Sequence, residues 1–132
     1  MRYLLDSNAC IVFLNGRSEK LKRRFLACDS EDIVLCSVVK AELYFGAMKS
    51  QRVSQSLSKI DAFFSPFASL TFDDDSAKWY GEIRADLAAK GTIIGNNDMM
   101  IAAIALRNEI TVVTHNTREF SRVVGLKLDD WE

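Results

Sequence analysis

Three carboxylates lie at the edges of apolar segments that are far apart in the chain. Asp6 follows the run Tyr-Leu-Leu, Glu42 lies within the segment SVVKAELYFGAM, and Asp98 begins the run DMMIAAIA. Carboxylates that meet in one cleft can hold a divalent cation or orient a water molecule. The sequence therefore raises the question of whether these acids form one site or serve only local structure.

Asp6 and Asp98 also have ordinary structural interpretations. Asp6 can close a turn or cap a helix, and Asp98 can be an acid in the first turn of a helix, where negative charge is favoured. Asn96 and Asn97, however, are already good helix caps, so a capping role leaves Asp98 partly unexplained.

Glu42 has nearly only apolar neighbours along its predicted helix. A buried carboxylate costs several kcal/mol unless a cation or hydrogen-bond donors compensate it. A salt bridge to Lys40 or Arg84 is the structural alternative to a functional role.

The elements that would position these acids alternate between strand and helix. The hydrophobic pattern predicts strands over residues 3–5, 32–36, 70–72 and 111–114, and helices over residues 9–14, 18–28, 38–50, 53–64, 74–90, 99–106 and 117–123. Asn8 and Ser37 are predicted helix caps. This alternation predicts an α/β fold with a mostly parallel sheet, whose ligand site lies at the carboxyl ends of the strands. Asp6, Asn116 and Glu119 would then share one edge.

Composition limits the remaining possibilities. The length of 132 residues and the 48% hydrophobic content suit one domain over residues 1–132. A net charge of −1 gives no global attraction for nucleic acid, so RNA binding would have to be local. Three cysteines without metal-type spacing, and no apolar run long enough for a membrane span, favour a reduced cytoplasmic protein.

Several motifs together carry a family resemblance. The segments YLLDSN, SVVKAEL, YGEIRADL, IGNNDMMIAA, VVTHNTREF and GLKLDDW occur in this order through nearly the whole chain. With this order and spacing, the sequence resembles the VapC toxins of the PIN-domain ribonuclease superfamily. The resemblance implies a PIN-like three-layer α/β/α sandwich, and a metal site formed by Asp6, Glu42 and Asp98 with a fourth position near Asn116 and Glu119.

Three positions depart from the family pattern. Ser7 stands where threonine is frequent and keeps the hydroxyl, and Val39 also replaces a frequent threonine. Asn116 occupies a place where many PIN domains have an acid, so the fourth carboxylate would be Glu119. Ser7 and Asn116 are then expected to hydrogen-bond to the ligating carboxylates or to water.

The resemblance implies a metal-dependent endoribonuclease of a type II toxin–antitoxin system. A phosphodiester is an anion that carboxylates repel, so Mg²⁺, or Mn²⁺ in its place, must reverse the charge of the pocket. Hydrolysis by metal-activated water would leave a 5′-phosphate and a 3′-hydroxyl. The expected partners are RNA, commonly tRNA or another structured RNA, a VapB-type antitoxin and a second copy of the chain within a larger complex. Candidate RNA-backbone contacts are Arg84, Lys90, Arg118 and Arg122.

Other functions of an α/β chain with an aspartate after its first strand fit this sequence less well. A haloacid-dehalogenase-like phosphatase needs a second aspartate two residues after Asp6, where the chain has Asn8. A receiver-like domain needs a lysine after a late strand, and THNTREF has none. The remaining alternative is a catalytically silent PIN-like module that binds RNA or protein.

Overall fold

The computed structural model describes residues 1–132 and contains one five-stranded sheet. The strands run in the order β3-β2-β1-β4-β5, and every neighbouring pair is parallel. The strands are β1 (Tyr3–Leu5), β2 (Ile33–Cys36), β3 (Ala68–Leu70), β4 (Thr111–Val113) and β5 (Leu128–Asp129). The predicted α/β fold with a parallel central sheet is confirmed.

Seven helices flank this sheet. None of the seven combines the length and the hydrophobicity that a bilayer-spanning segment requires. The helices are α1 (Ser7–Asn15), α2 (Glu19–Ala27), α3 (Ser37–Met48), α4 (Val53–Phe64), α5 (Asp74–Ala89), α6 (Asn96–Asn108) and α7 (Thr117–Phe120), with a short 3-10 turn at Ser30–Asp32.

The central strands are short apolar runs because helices cover both of their faces. Every residue of β2 and β4 is buried, as are two of the three residues of β1. Helix α6 contributes a nearly continuous buried segment, which explains why its sequence is apolar all round.

The order of the strands creates a crevice between β1 and β4. The chain builds the sheet outward from β1 through β2 to β3, and then returns to the other side of β1 to form β4 and β5. At such a reversal point, the loops that follow the two central strands diverge and leave room for a ligand. Asp6 follows β1 and Thr114 follows β4, so both lie at this crevice.

Local predictions failed at four points. Asp6, not Asn8, caps α1, and Ser37 is the first residue of α3, where its hydroxyl donates to the Leu70 carbonyl oxygen. The third strand lies at Ala68–Leu70 instead of residues 70–72, and Phe72 packs against Tyr80. Strand β5 was not predicted, because a two-residue strand has no measurable hydrophobic period and depends on pairing with β4.

Candidate active site

Asp6 is a helix cap and also a member of the crevice. It is 3% exposed, and its carboxylate accepts hydrogen bonds from the Ala9 amide at 2.8 Å and from the Thr114 hydroxyl at 2.6 Å. Burial raises the pKa of Asp6, the two hydrogen bonds oppose that rise, and repulsion from Glu42 adds to it. The two contacts fix the carboxylate between β1 and β4, at the point where the sheet opens.

Glu42 extends from α3 toward the same crevice and has no basic partner. The Ser7 hydroxyl donates to its carboxylate at 2.7 Å, which ties α3 to the start of α1. Lys40 lies over the Phe64 ring, with its amino group 5.0 Å from the centroid, and Arg84 donates to the Tyr80 hydroxyl at 2.9 Å. The salt-bridge alternative for Glu42 is therefore wrong.

Asp98 lies in the first turn of α6 and accepts no hydrogen bond from any protein group. Gly95 is the N-cap of this helix, with no side-chain capping bond, so the expected capping role of Asn96 and Asn97 is also wrong. The pKa of Asp98 rises to about 6, first because burial disfavours the charge, and then because Asp6, Glu42 and Glu119 repel it. Asp98 is a half-buried carboxylate that no local contact stabilises.

Glu119 lies on α7, and hydrogen bonds through Asn116 and Thr114 connect it to Asp6. The Asn116 side-chain amide donates to the Glu119 carboxylate at 3.1 Å, and the Asn116 backbone amide donates to the Thr114 hydroxyl at 2.9 Å. Thr114 thus connects Asp6 to Asn116. The sequence interpretation missed Thr114, although a polar residue directly after the strand TVV was a signal for it.

The four acids Asp6, Glu42, Asp98 and Glu119, which we call the acidic pocket, contain no compensating cation. Every ion pair in the structure involves other carboxylates. A groove of about 400 Å³ opens beside Glu42 between α3 and α6. Oxygen ligands from several carboxylates without a basic partner are the donor set that a divalent cation prefers, so the residues present fit such an ion.

Comparisons with known proteins agree with this architecture. Residues 3–126 match the PIN domain family model. The chain is 38% identical to ribonuclease VapC2 of Rickettsia felis, an alignment that covers 100% of this chain and 99% of the relative. It is 36% identical to a tRNA(fMet)-specific endonuclease VapC of Salmonella typhimurium, over 99% of this chain and 98% of the relative.

A solved structure shows the same relationship in three dimensions. The crystal structure of DNA-bound VapBC from Salmonella typhimurium contains a chain that superposes with a TM-score of 0.93 at 36% identity, covering 100% of this chain and 99% of that chain. The chain belongs to the VapC ribonucleases of the PIN-domain family. The predicted resemblance, the fold and the class of enzyme, a toxin ribonuclease, are confirmed. Dependence on a divalent metal ion is general among PIN-domain nucleases.

In this VapC chain a second group of potential metal ligands lies beside the acidic pocket. His115, Asp130 and Glu132 each place one ligand atom within 4.8 Å of the others. His115, however, is hydrogen-bonded to Asp130 at 3.0 Å, and this contact, with the nearby negative charges, raises the pKa of His115. A metal ion would have to displace the proton that this contact favours on the imidazole, whereas the acidic pocket offers four carboxylates, so the acidic pocket is the better candidate.

The four basic residues that the sequence suggested for RNA binding have different surroundings. Lys90, at the C-terminal end of α5, pairs with Asp86 at 3.0 Å. Arg84 donates a hydrogen bond to the Tyr80 hydroxyl. Arg118 and Arg122 flank Glu119 in sequence and form no ion pair. Of the four, Arg118 and Arg122 therefore remain the stronger predictions for an RNA contact near the pocket.

Proposed function

We propose that this VapC chain hydrolyses RNA at the acidic pocket, with Asp6, Glu42 and Asp98 holding Mg²⁺, or Mn²⁺ in its place. The observation that supports this proposal most strongly is the state of Asp98. Its pKa is raised to about 6 by burial and by three other acids, and no donor or cation stabilises its charge. A protein that needed Asp98 only as a helix-start residue would gain nothing from this arrangement.

The side chains have distinct tasks in this proposal. Hydrogen bonds hold Asp6 between Ala9 and Thr114, and Ser7 holds Glu42, so both carboxylates are oriented before any ligand binds. When bound, the divalent cation would cancel the negative charge of the pocket and make an attacking water molecule more acidic. Glu119, which accepts a hydrogen bond from Asn116, would act as the general base for the attacking water.

The substrate class that we propose is tRNA. Two relatives that are 36% and 37% identical to this chain are named tRNA(fMet)-specific endonucleases, so initiator tRNA is the first candidate. The proposed partner is a VapB-type antitoxin, because the solved neighbours are VapBC complexes. An arginine or lysine of the antitoxin would inhibit by placing its cation among the four acids. A homodimer within the larger complex remains a prediction.

Incubation of the purified chain with total RNA, with Mg²⁺ and with EDTA, tests the function. We expect cleavage in Mg²⁺ only, with tRNA as the preferred substrate and with 5′-phosphate and 3′-hydroxyl ends. Cleavage that continues in EDTA, or ends that carry a 2′,3′-cyclic phosphate, would contradict hydrolysis at the acidic pocket. Binding of RNA with no turnover under any divalent cation would favour the alternative of a catalytically silent module.

A further inference from the structure

A pocket with a basic lining lies on the surface between α2 and the C-terminal segment. Its volume is about 340 Å³, and we call it the cationic pocket. Three of its five lining residues are basic, and they come from successive turns of α2. The lining residues are Lys20, Arg23, Arg24, Asp130 and Trp131.

Folding does not explain these charges. Lys20 is three residues from Arg23 and four from Arg24, so three like charges share one face of a nine-residue helix and repel one another. Arg24 is paired with Asp129 at 3.5 Å, but no acid lies within ion-pair distance of Lys20 or Arg23. A helix face that only needed solvation would carry mixed charges, whereas α2 contains a single acid, Glu19, among its basic residues.

Arg24 is held in place before any ligand arrives. Its guanidinium lies over the rings of Trp131, at 5.3 Å from the centroid, and of Tyr3, at 5.8 Å. Trp131 is 2% exposed, so it supports the arginine and offers no open face on which a nucleobase could stack. The chemistry of the pocket therefore suits a phosphate group better than a base, because the guanidinium N–H groups that the Tyr3 hydroxyl and Asp129 do not engage can donate to phosphate oxygens.

The cationic pocket is connected to the acidic pocket along the edge of the sheet. Thr114 donates to Asp6 at 2.6 Å, and the next residue, His115, is hydrogen-bonded to Asp130, which lines the cationic pocket. An RNA strand that reached from the acidic pocket to the cationic pocket would cross this segment. Because the acids repel a polyanion, cations beside them are needed to hold the flanking phosphates.

From these observations we propose that Lys20, Arg23 and Arg24 bind a backbone phosphate of the RNA substrate that flanks the scissile one. The proposal rests on the function proposed above and extends it to a surface that the sequence interpretation did not include. It assigns to α2 a positioning role that is independent of base sequence. Removal of these charges should weaken the binding of RNA and leave the chemical step unchanged.

The test compares a Lys20→Gln/Arg23→Gln double variant with a Lys22→Gln control. Lys22 is an exposed cation of the same helix that does not line the pocket, so it corrects for general charge effects. The probe is total tRNA, with kcat and KM measured in Mg²⁺ over a range of salt concentrations. We expect the double variant to raise KM about tenfold with kcat unchanged. The salt dependence of kcat/KM should fall by about one power of the salt concentration for each phosphate that the variant can no longer bind.

An Arg23→Lys variant keeps the charge, so we expect its KM to lie close to that of the wild type. The proposal is overturned if the double variant and Lys22→Gln have the same KM and the same salt dependence, or if kcat falls while KM stays constant. It is also overturned if the affinity for RNA is unchanged and only binding of the antitoxin weakens, because the pocket would then be a protein-binding surface. All variants are exposed substitutions, and thermal melts verify that they fold.

Filter binding of total tRNA to the protein in EDTA separates this proposal from the proposed function. If the wild type cleaves no RNA but binds tRNA more tightly than the double variant does, the nuclease function fails and the phosphate contact stands. If the wild type cleaves RNA and the double variant binds tRNA as well as Lys22→Gln does, the phosphate contact fails and the nuclease function stands.

Discussion

Two clusters of acids in this molecule differ in what surrounds them. At the start of α5, Asp73 accepts a hydrogen bond from the Ser76 amide at 2.8 Å, and Arg107 pairs with Asp73 at 3.9 Å and with Asp75 at 3.1 Å. Hydrogen bonding by Ser76 lowers the pKa of Asp73, and Arg107 contributes in the same direction. In the acidic pocket, by contrast, the pKa values of Asp6 and Asp98 are raised.

The difference distinguishes acids that stabilise the fold from acids that await a ligand. The cluster on α5 stabilises its helix, because a cap, a favourable helix end and a cation all favour the ionised carboxylates. The acidic pocket stores repulsion that only a cation or a proton can relieve. Both clusters are conspicuous in the sequence, so the number of acids does not separate them. Their partners do.

The largest expected effect is on cleavage. Asp6→Asn, Glu42→Gln and Asp98→Asn each remove a charge and nearly preserve shape, so we expect each to lower kcat/KM by roughly 100-fold or more while the protein stays folded. The matched control from the α5 cluster is Asp75→Asn, which should retain activity within about twofold. Full activity in any of the three pocket variants would remove that residue from the proposed site.

The next effect concerns the fourth position of the pocket. Glu119→Gln should reduce kcat/KM by roughly tenfold, and by more than Asn116→Ala does, since a carboxylate makes charge-assisted contacts and an amide does not. The two variants are compared at saturating Mg²⁺ with the same tRNA. If Asn116→Ala reduced kcat/KM more than Glu119→Gln does, the fourth position would belong to Asn116, and Glu119 would only orient the Asn116 side chain.

Substitutions in the two clusters should change the melting temperature in opposite directions. In EDTA, Asp98→Asn removes repulsion and should raise the melting temperature by a few degrees, whereas Asp73→Ala loses a cap worth about 0.5–2 kcal/mol and should lower it. In millimolar Mg²⁺ the wild type should gain more stability than Asp98→Asn, because ligand binding stabilises the folded state. If Asp98→Asn lost the same stability in both buffers, Asp98 would be only a helix-start residue.

The pH dependence of stability should be the smallest effect. The pKa of Asp98 is about 6 in the folded chain and near 3.8 in the unfolded chain, so between these values the folded state binds more protons. Stability in EDTA should therefore fall as pH rises from about 4 to 6, and Asp6 contributes in the same direction because its pKa is also raised. His115, whose pKa is raised above 6.5, continues the fall at higher pH. Denaturant titrations should show that the free energy of unfolding of Asp98→Asn falls less over this pH range than that of the wild type. An equal fall in the two proteins would contradict the raised pKa of Asp98.

Much of the fold could be predicted from the sequence, because the central strands and α6 are buried on all sides and their apolar runs are unambiguous. The edge strands were harder: β3 was displaced by two residues and β5 was missed, since strands of two or three residues depend on tertiary pairing. The sequence also predicted that Asp6, Asn116 and Glu119 share one edge of the sheet, and the family resemblance added Glu42 and Asp98 to this site. It could not supply Thr114 as the link between Asp6 and Asn116, because the hydrogen bond from Thr114 to Asp6 joins segments that are 108 residues apart in the chain.

Binding of Mn²⁺ to the purified chain, followed by electron paramagnetic resonance, tests the central claim most directly because it needs no RNA. The wild type and Asp75→Asn should bind the ion with equal affinity, and Asp98→Asn should bind it at least about tenfold more weakly, since it loses one charged ligand of the acidic pocket. Equal affinities for all three proteins, or weaker binding only in Asp75→Asn, would show that the four acids do not form the metal site.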